Sequence, residues 1–256
     1  MLRLSIFLGL LAMFAGLEAV FPRRKRVQPR GTRWVTHAGI TIIDTFASRL
    51  MGPLLTLSVA AYAANKGWGL FNIVNWPAWL EVGVVLIVLD GLIYAQHVIF
   101  HRVPMFWRFH KVHHADRDLD VTSALRFHPL EIIVSLLYKA LIVVVLGPAV
   151  FAVFLFEIIL NGMAMFNHAN LRLPLPLDRL LRVMFVTPDM HRVHHSIAYR
   201  ETNSNYGFNL SVWDRIFRTY RPKPKAGQTD MTVGLSEYQS EKPSQFLWNL
   251  RLPFHR

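Results

Sequence analysis

The chain has no cysteine, so disulfides, thiolate nucleophiles and cysteine-held zinc or iron–sulfur centres are excluded. Any metal must be held by histidine and oxygen ligands. Charge is also scarce and one-sided: 17% of the 256 residues are charged, with 16 acidic against 28 basic side chains and a formal net charge of +12. No internal repeat, low-complexity tract or long flexible linker is visible, which argues against solenoids and tethered arrays. A nucleic-acid reading motif is missing too, so the basic excess implies no nucleic-acid partner.

What is plentiful is apolar sequence. Hydrophobic residues make up 53% of the chain, and they fall in long uncharged runs, the mark of membrane segments rather than of a soluble core. Lys and Arg collect between the runs, where they bias orientation and meet anionic head groups.

Residues 4 to 20, "LSIFLGLLAMFAGLEAV", are interrupted only by Glu18 and are followed by Pro22 and "RRKR" at 23 to 26. The heavy charge follows the run, so the segment reads as an uncleaved anchor with its N terminus outside and a cytoplasmic 23 to 33 loop. A second span is expected at about 40 to 63, with Asp44 and Arg49 near its cytoplasmic end. Trp68, Trp76 and Trp79 then suit an interfacial belt on the far side. A third span, about 82 to 100, returns to the cytoplasm. The apolar stretch 132 to 169 is broken at Gly147 and Pro148 and predicts a hairpin in the membrane. Everything after 170 is polar and basic, as a cytoplasmic cap would be.

The expected fold class is therefore an all-α integral membrane protein. About four to five membrane helices, hairpin included, should carry a cytosolic helical cap. The domains expected are N-terminal anchor helices at 1–80, a catalytic domain at 81–220 and a cytosolic tail at 221–256.

Histidine is concentrated as charge is not. Of twelve histidines, five lie between 97 and 114: His97 and His101 in "HVIFH", then His110, His113 and His114 in "HKVHH". The second pattern returns as "HRVHH", at His191, His194 and His195. On a helix, residues i, i+3 and i+4 project from one face, so each group points several imidazoles at one place. Eight imidazoles are too many for one ion but fit two ions sharing a site. Asp90 and Tyr94 continue the stripe of His97 and His101 at helical spacing, and an acid in a membrane helix needs a partner. Orienting a ligand imidazole would supply one. His128 in "RFHP" and His168 in "FNHAN" emerge at the same membrane level, whereas His37 and His255 have no such setting.

Imidazole alone leaves zinc, copper, iron and nickel open. At a membrane surface the nearest substrate is lipid, and attack on an unactivated C–H bond requires a redox metal and O2. The segments "HVIFHRVPMFWRFHKVHH", "RFHP", "NHAN", "DMHRVHH" and "NYGFNLSVWDRIFRTY" at 205 to 220 resemble, in order and spacing, the histidine boxes of the fatty acid hydroxylase and sterol desaturase superfamily. The resemblance covers about residues 80 to 220. It implies a membrane monooxygenase or desaturase with two non-haem iron ions, O2 as co-substrate, a lipid or sterol-like substrate and electrons from an external redox partner protein.

It also implies that His97, His101, His110, His113, His114, His191, His194 and His195 act through bound metals, with His128 and His168 as further ligands. Arg218 stands where that family usually has glycine in its closing turn. Phe106, Trp107 and Phe109 are candidates for the channel wall or for interfacial anchors. Two other readings compete with the oxygenase: a non-catalytic membrane metal carrier, and a zinc-dependent lipid hydrolase with Asp116, Asp118, Asp120 or Asp189 as its acid or base.

Overall fold

The computed structural model describes residues 2–74 and 77–255, so Trp76 of the expected aromatic belt lies outside the described residues. Trp68 and Trp79 of that belt are exposed. The secondary structure is helical apart from isolated bridges, among them Phe185 with Leu210.

Helix α1 (Leu2–Val20) is apolar on every side, and only 6% of its most apolar window is buried, so its surface is made for lipid. Helix α2 (Arg30–Leu50) instead buries a polar stripe of Arg33, Thr36, His37, Ile40 and Asp44 at helical spacing. Pro53, with no backbone N–H to donate, ends it in a short turn at Gly52–Leu54, and α3 (Thr56–Lys66) continues. The continuous span expected at 40 to 63 is therefore corrected. The segment is two helices, broken at Met51 to Leu55, and neither is apolar and long enough to cross a membrane alone. Together they run from Asp116, which Arg33 meets, to the opposite end, where Gly69 packs on Gly147. Both glycines have positive φ, and a Cβ on either would collide with the other's backbone.

A short α4 (Leu70–Ile73) precedes the long α5 (Ala78–Arg102), which Pro104 separates from α6 (Pro104–His114). The apolar hairpin is α7 (Pro129–Leu146) and α8 (Val150–His168), turned at Gly147. Among the described residues four helices, α1, α5, α7 and α8, are long and apolar enough to cross a membrane. Val85, Leu89, Ile93, Ala152 and Phe156 form the packed seam between α5 and α8.

The cap holds α9 (Leu175–Leu181), α10 (Pro188–His194), α11 (Tyr199–Thr202), α12 (Val212–Ile216) and α13 (Phe246–Arg251). Residues beyond 220 are packed into it: Leu235 and Leu252 are buried against Val112 and Ala115 of α6 and its C-terminal end. Part of the basic 23 to 33 loop is also taken up inside. Arg23 donates to Asp189 at 2.8 Å, and both Val27 and Gln28 donate backbone N–H groups to Asp118. These arginines and backbone groups face protein rather than head groups.

Candidate metal centre

Nine histidines converge, in two groups. His97, His101, His110, His114 and His194 form one, and His113, His168, His191 and His195 the other, with the ligand nitrogens of each group within 4.8 Å of one another. The partition follows from helix geometry. At about 100° per residue, positions i and i+4 lie about 40° apart while i+3 lies about 60° to the other side. On α6 the i, i+4 pair His110 and His114 enters the first group and His113 the second. On α10 and its end the roles are exchanged: His191 and His195 enter the second group and His194 the first. His97 and His101, one turn apart on α5, complete the first group, and His168, the last residue of α8, completes the second.

Five of the nine rings are held from behind through Nδ1. The Nδ1–H of His97 donates to the Tyr206 carbonyl (2.7 Å), that of His194 to Ser204 (2.8 Å), that of His168 to Ala164 (2.7 Å) and that of His113 to Arg126 (3.3 Å). His110 Nδ1 donates to a carboxylate instead, Glu131 Oε1 at 2.7 Å. With the proton at Nδ1, Nε2 carries the lone pair, which is how a metal-binding imidazole is oriented.

The donor set fits metal ions. His97 and His110 face each other through Nε2 at 3.2 Å, and His113 and His168 at 3.0 Å. All four have committed their proton at Nδ1, so these contacts set lone pair against lone pair in a dry interior, which a shared cation reverses from repulsive to favourable. His194 Nε2 is likewise buried with no hydrogen-bond partner. Burial pushes His110 down to about 3, and burial together with neighbouring histidines pushes His113, His114, His191, His194 and His195 well below the usual imidazole value. The rings in the cap are therefore neutral at pH 7, as ligands must be.

His128 lies outside both groups. It precedes Pro129 at the start of α7, where its Nδ1 accepts the Leu130 N–H (3.1 Å) and its Nε2 donates to the Leu250 carbonyl (3.2 Å). Both ring nitrogens are spent on backbone. Asp90 and Tyr94 touch no ligand ring through a hydrogen bond. Asp90 accepts from the N–H groups of Asn209 and Leu210 and from Trp213 Nε1 (2.8 Å), and Tyr94 bonds Thr219 at 2.9 Å. Together they pin the 205 to 220 segment, whose Tyr206 carbonyl holds His97. Asp214 closes that loop by accepting the N–H groups of Tyr206 (2.8 Å) and Gly207 (2.9 Å). Arg218, the position expected to be glycine, has φ of 58°. The turn is kept, with an arginine in the left-handed region.

Asp116, Asp118 and Asp120 are structural. Arg33 donates to Asp116 (2.8 Å) and Asp120 (2.6 Å), with all three side chains fully buried. Burial alone would raise both acids, but the Arg33 charge outweighs it and holds them below the usual carboxylate range. His37, left aside on sequence grounds, is buried 3.5 Å from Asp116. Glu131 and Arg126 were also missed. Glu131 had a signal, an acid at the start of an apolar helix; the Arg126 carbonyl had none.

A cavity of about 620 Å³ opens from the first group into the membrane helices, bounded by His97, His110, Phe100, Phe127, Phe208 and Ile132. Phe106, Trp107 and Phe109 do not line it. Trp107 packs on His101 and His114, and Phe109 on His128.

The model of the family described as fatty acid hydroxylase matches residues 82–219. The chain belongs to that family. It is 31% identical over 184 residues to the ornithine lipid hydroxylase OlsE of Rhizobium tropici, covering 71% of this chain and 53% of that one. It is 30% identical over 177 residues to the alkylglycerol monooxygenase of Homo sapiens, covering 69% and 38%. With the cholesterol 25-hydroxylase of Mus musculus it shares 26% over 145 residues, 56% of this chain and 48% of that one. The chain thus spans about half or less of the length of these relatives. No solved structure matches it significantly. The family match spans most of α5, both "HxxHH" groups and the 205 to 219 loop.

Proposed function

We propose that the protein is an integral-membrane, O2-dependent hydroxylase or desaturase that oxidises an aliphatic carbon of a lipid, fatty acyl or sterol-like substrate. Two non-haem iron ions would be held by the two histidine groups, with His97, His101, His110, His114 and His194 around one and His113, His168, His191 and His195 around the other. The observation that carries this reading is that His97 and His110 are at once metal-oriented rings and the inner wall of an apolar cavity among membrane helices. The relatives' names, hydroxylase or monooxygenase of a lipid in each case, support it.

When bound, a pair of redox ions supplies O2 activation and hydrogen abstraction from an unactivated C–H bond. The chain supplies the rest. Phe100, Phe127 and Phe208 exclude water and hold the substrate chain. Glu131 and the Tyr206 and Ser204 carbonyls fix the rings that face it. Loss of a hydrogen from one carbon leads to an alcohol; loss from two adjacent carbons leads to a double bond. Exposed Arg200, Arg215, Arg218, Lys223 and Lys225 on the cap suit an acidic redox partner protein. The basic loop after α1, on the histidine side, supports a cytoplasmic cap and an N terminus outside.

A zinc hydrolase needs a free acid or base, and here Asp116, Asp118, Asp120 and Asp189 are all engaged by arginines or backbone. Metal analysis with an oxidation assay decides between them: iron-loaded protein with a reductant should consume O2 in the presence of lipid. Two zinc ions per chain, with no O2 uptake from any lipid by the iron-loaded form, overturns the oxygenase reading.

A further inference from the structure

The cavity holds Glu131 among aromatic rings at its histidine end and basic side chains at the other. Arg3 of α1, Asp44 and Arg49 of α2 and Lys139 of α7 line that second end, and a cation within an apolar membrane-crossing helix, as Lys139 is in α7, is costly and marks function. The charges do not cancel one another. Arg3 pairs with Glu157 at 2.9 Å, whereas among the described residues Arg49 and Lys139 make no hydrogen bond or ion pair within 4 Å, and Lys139 lies only within longer electrostatic reach of Glu157. Asp44 is 8% exposed, and its Oδ1 is buried without a partner. Three cations meet Asp44 and Glu157 at this end, and the cavity's third acid, Glu131, is spent on His110 at the other.

Lys139 continues the stripe of Glu131 and Ser135 at steps of four along the otherwise apolar "PLEIIVSLLYKALIVVVL", and all three line the cavity. The break at Met51 to Leu55 turns α2 away at this level, and Leu55 lines the same space. Across the cleft, Arg3 and Leu4 of α1 face Ser48 and Arg49 of α2.

Resting on the oxygenase reading, we propose that this end is a headgroup site. Arg3, Arg49 and Lys139 take the anionic group of a single-chain amphiphile, a carboxylate or a phosphate, and Asp44 accepts a hydrogen bond from a donor beside it. The chain then runs down the cavity to His97 and His110. Lys139 lies eight residues beyond Glu131, which touches His110, so the two ends are about 12 Å apart along α7. That span is on the order of ten carbons of extended chain. The cradle acts as a ruler, and the carbon oxidised is set by its distance from the anion.

The test is equilibrium binding, read without turnover. Full-length protein in nanodiscs is titrated with palmitate, methyl palmitate, hexadecanol and 1-palmitoyl-glycerol 3-phosphate by displacement of a fluorescent fatty acid. One or both anions should bind at least about tenfold tighter than the ester and the alcohol. The tighter of the two anions identifies the group. Lys139→Met and Arg49→Gln should each erase about tenfold of that preference, while metal content and affinity for hexadecanol stay as in the parent. Equal affinity for all four amphiphiles, or a preference that survives both substitutions, overturns the proposal. Lys139→Met removes a costly membrane charge and is expected to fold; Arg49→Gln gives an independent second reading. A protein that binds the anions selectively yet oxidises nothing would refute the oxygenase reading and not this one.

Discussion

The two histidine groups are built from the same motif and supported by different means. The first, around His110 and His114, faces the cavity and is backed by a carboxylate, Glu131, and by the loop that Asp90 and Asp214 pin. The second, around His191 and His195, is backed by carbonyls of Ala164 and Arg126. Behind Arg126 lies the buried Arg33, Asp116 and Asp120 network. A carboxylate behind an imidazole raises its basicity and responds to what enters the cavity; a carbonyl only fixes its angle. Under the proposed function, the difference gives the first group the substrate-facing chemistry and the second rigidity.

The comparison is broken most directly by removing ligands. His113→Ala and His194→Ala should each lower bound metal and abolish turnover by at least about a hundredfold, with His113→Ala emptying the second group and His194→Ala the first. Metal analysis with spectroscopy of the remaining ion reads this; unchanged occupancy in both variants would sink the ligand assignment. Glu131→Gln should cost about 10 to 100-fold in metal affinity or turnover, and affect the first group alone. If titration of metal into the apoprotein shows both ions weakened equally, the division of labour fails.

Breaking the support of the second group should show in stability rather than chemistry. Arg33→Met strands two buried acids and should cost about 3–5 kcal/mol in denaturant or thermal unfolding. The pH dependence follows from the same pair. Asp116 and Asp120 are held below their ordinary value of 3.8, so the unfolded chain binds more protons than the folded one as pH falls through that value. Their contribution is present above pH 3.8 and is lost progressively below it. In Arg33→Met the acids lose the cation that held them down, and the acid limb should move to higher pH. A melting curve with the same acid limb in parent and variant contradicts this. The smallest effect is expected at Arg218→Gly, where relief of the left-handed backbone at 58° should stabilise by roughly 0.5–1 kcal/mol. A loss of stability there would show that the arginine side chain itself supports the loop.

Much of this was legible in the chain. Apolar runs at 2–20, 78–102, 129–146 and 150–168 are helices because length and composition leave a membrane-crossing chain no other way to satisfy its backbone. The span at 40 to 63 was misjudged because Pro53 breaks it into two helices and its Asp44 continues the buried stripe of Arg33 and His37, and hydropathy cannot tell a buried polar face from a wet one. His128 was expected as a ligand from the family resemblance; the docking of Leu250, which the sequence does not show, gives its ring a backbone partner.

The sequence by itself determined which histidines can share a helix face, since a spacing of three or four residues is a local property of the α-helix. Tertiary structure alone decided which metal group each one enters, that Glu131 stands behind His110 and that Arg33 neutralises the acids after His114. Those facts depend on how helices distant in the chain pack together, and a helical period carries no information about its neighbours.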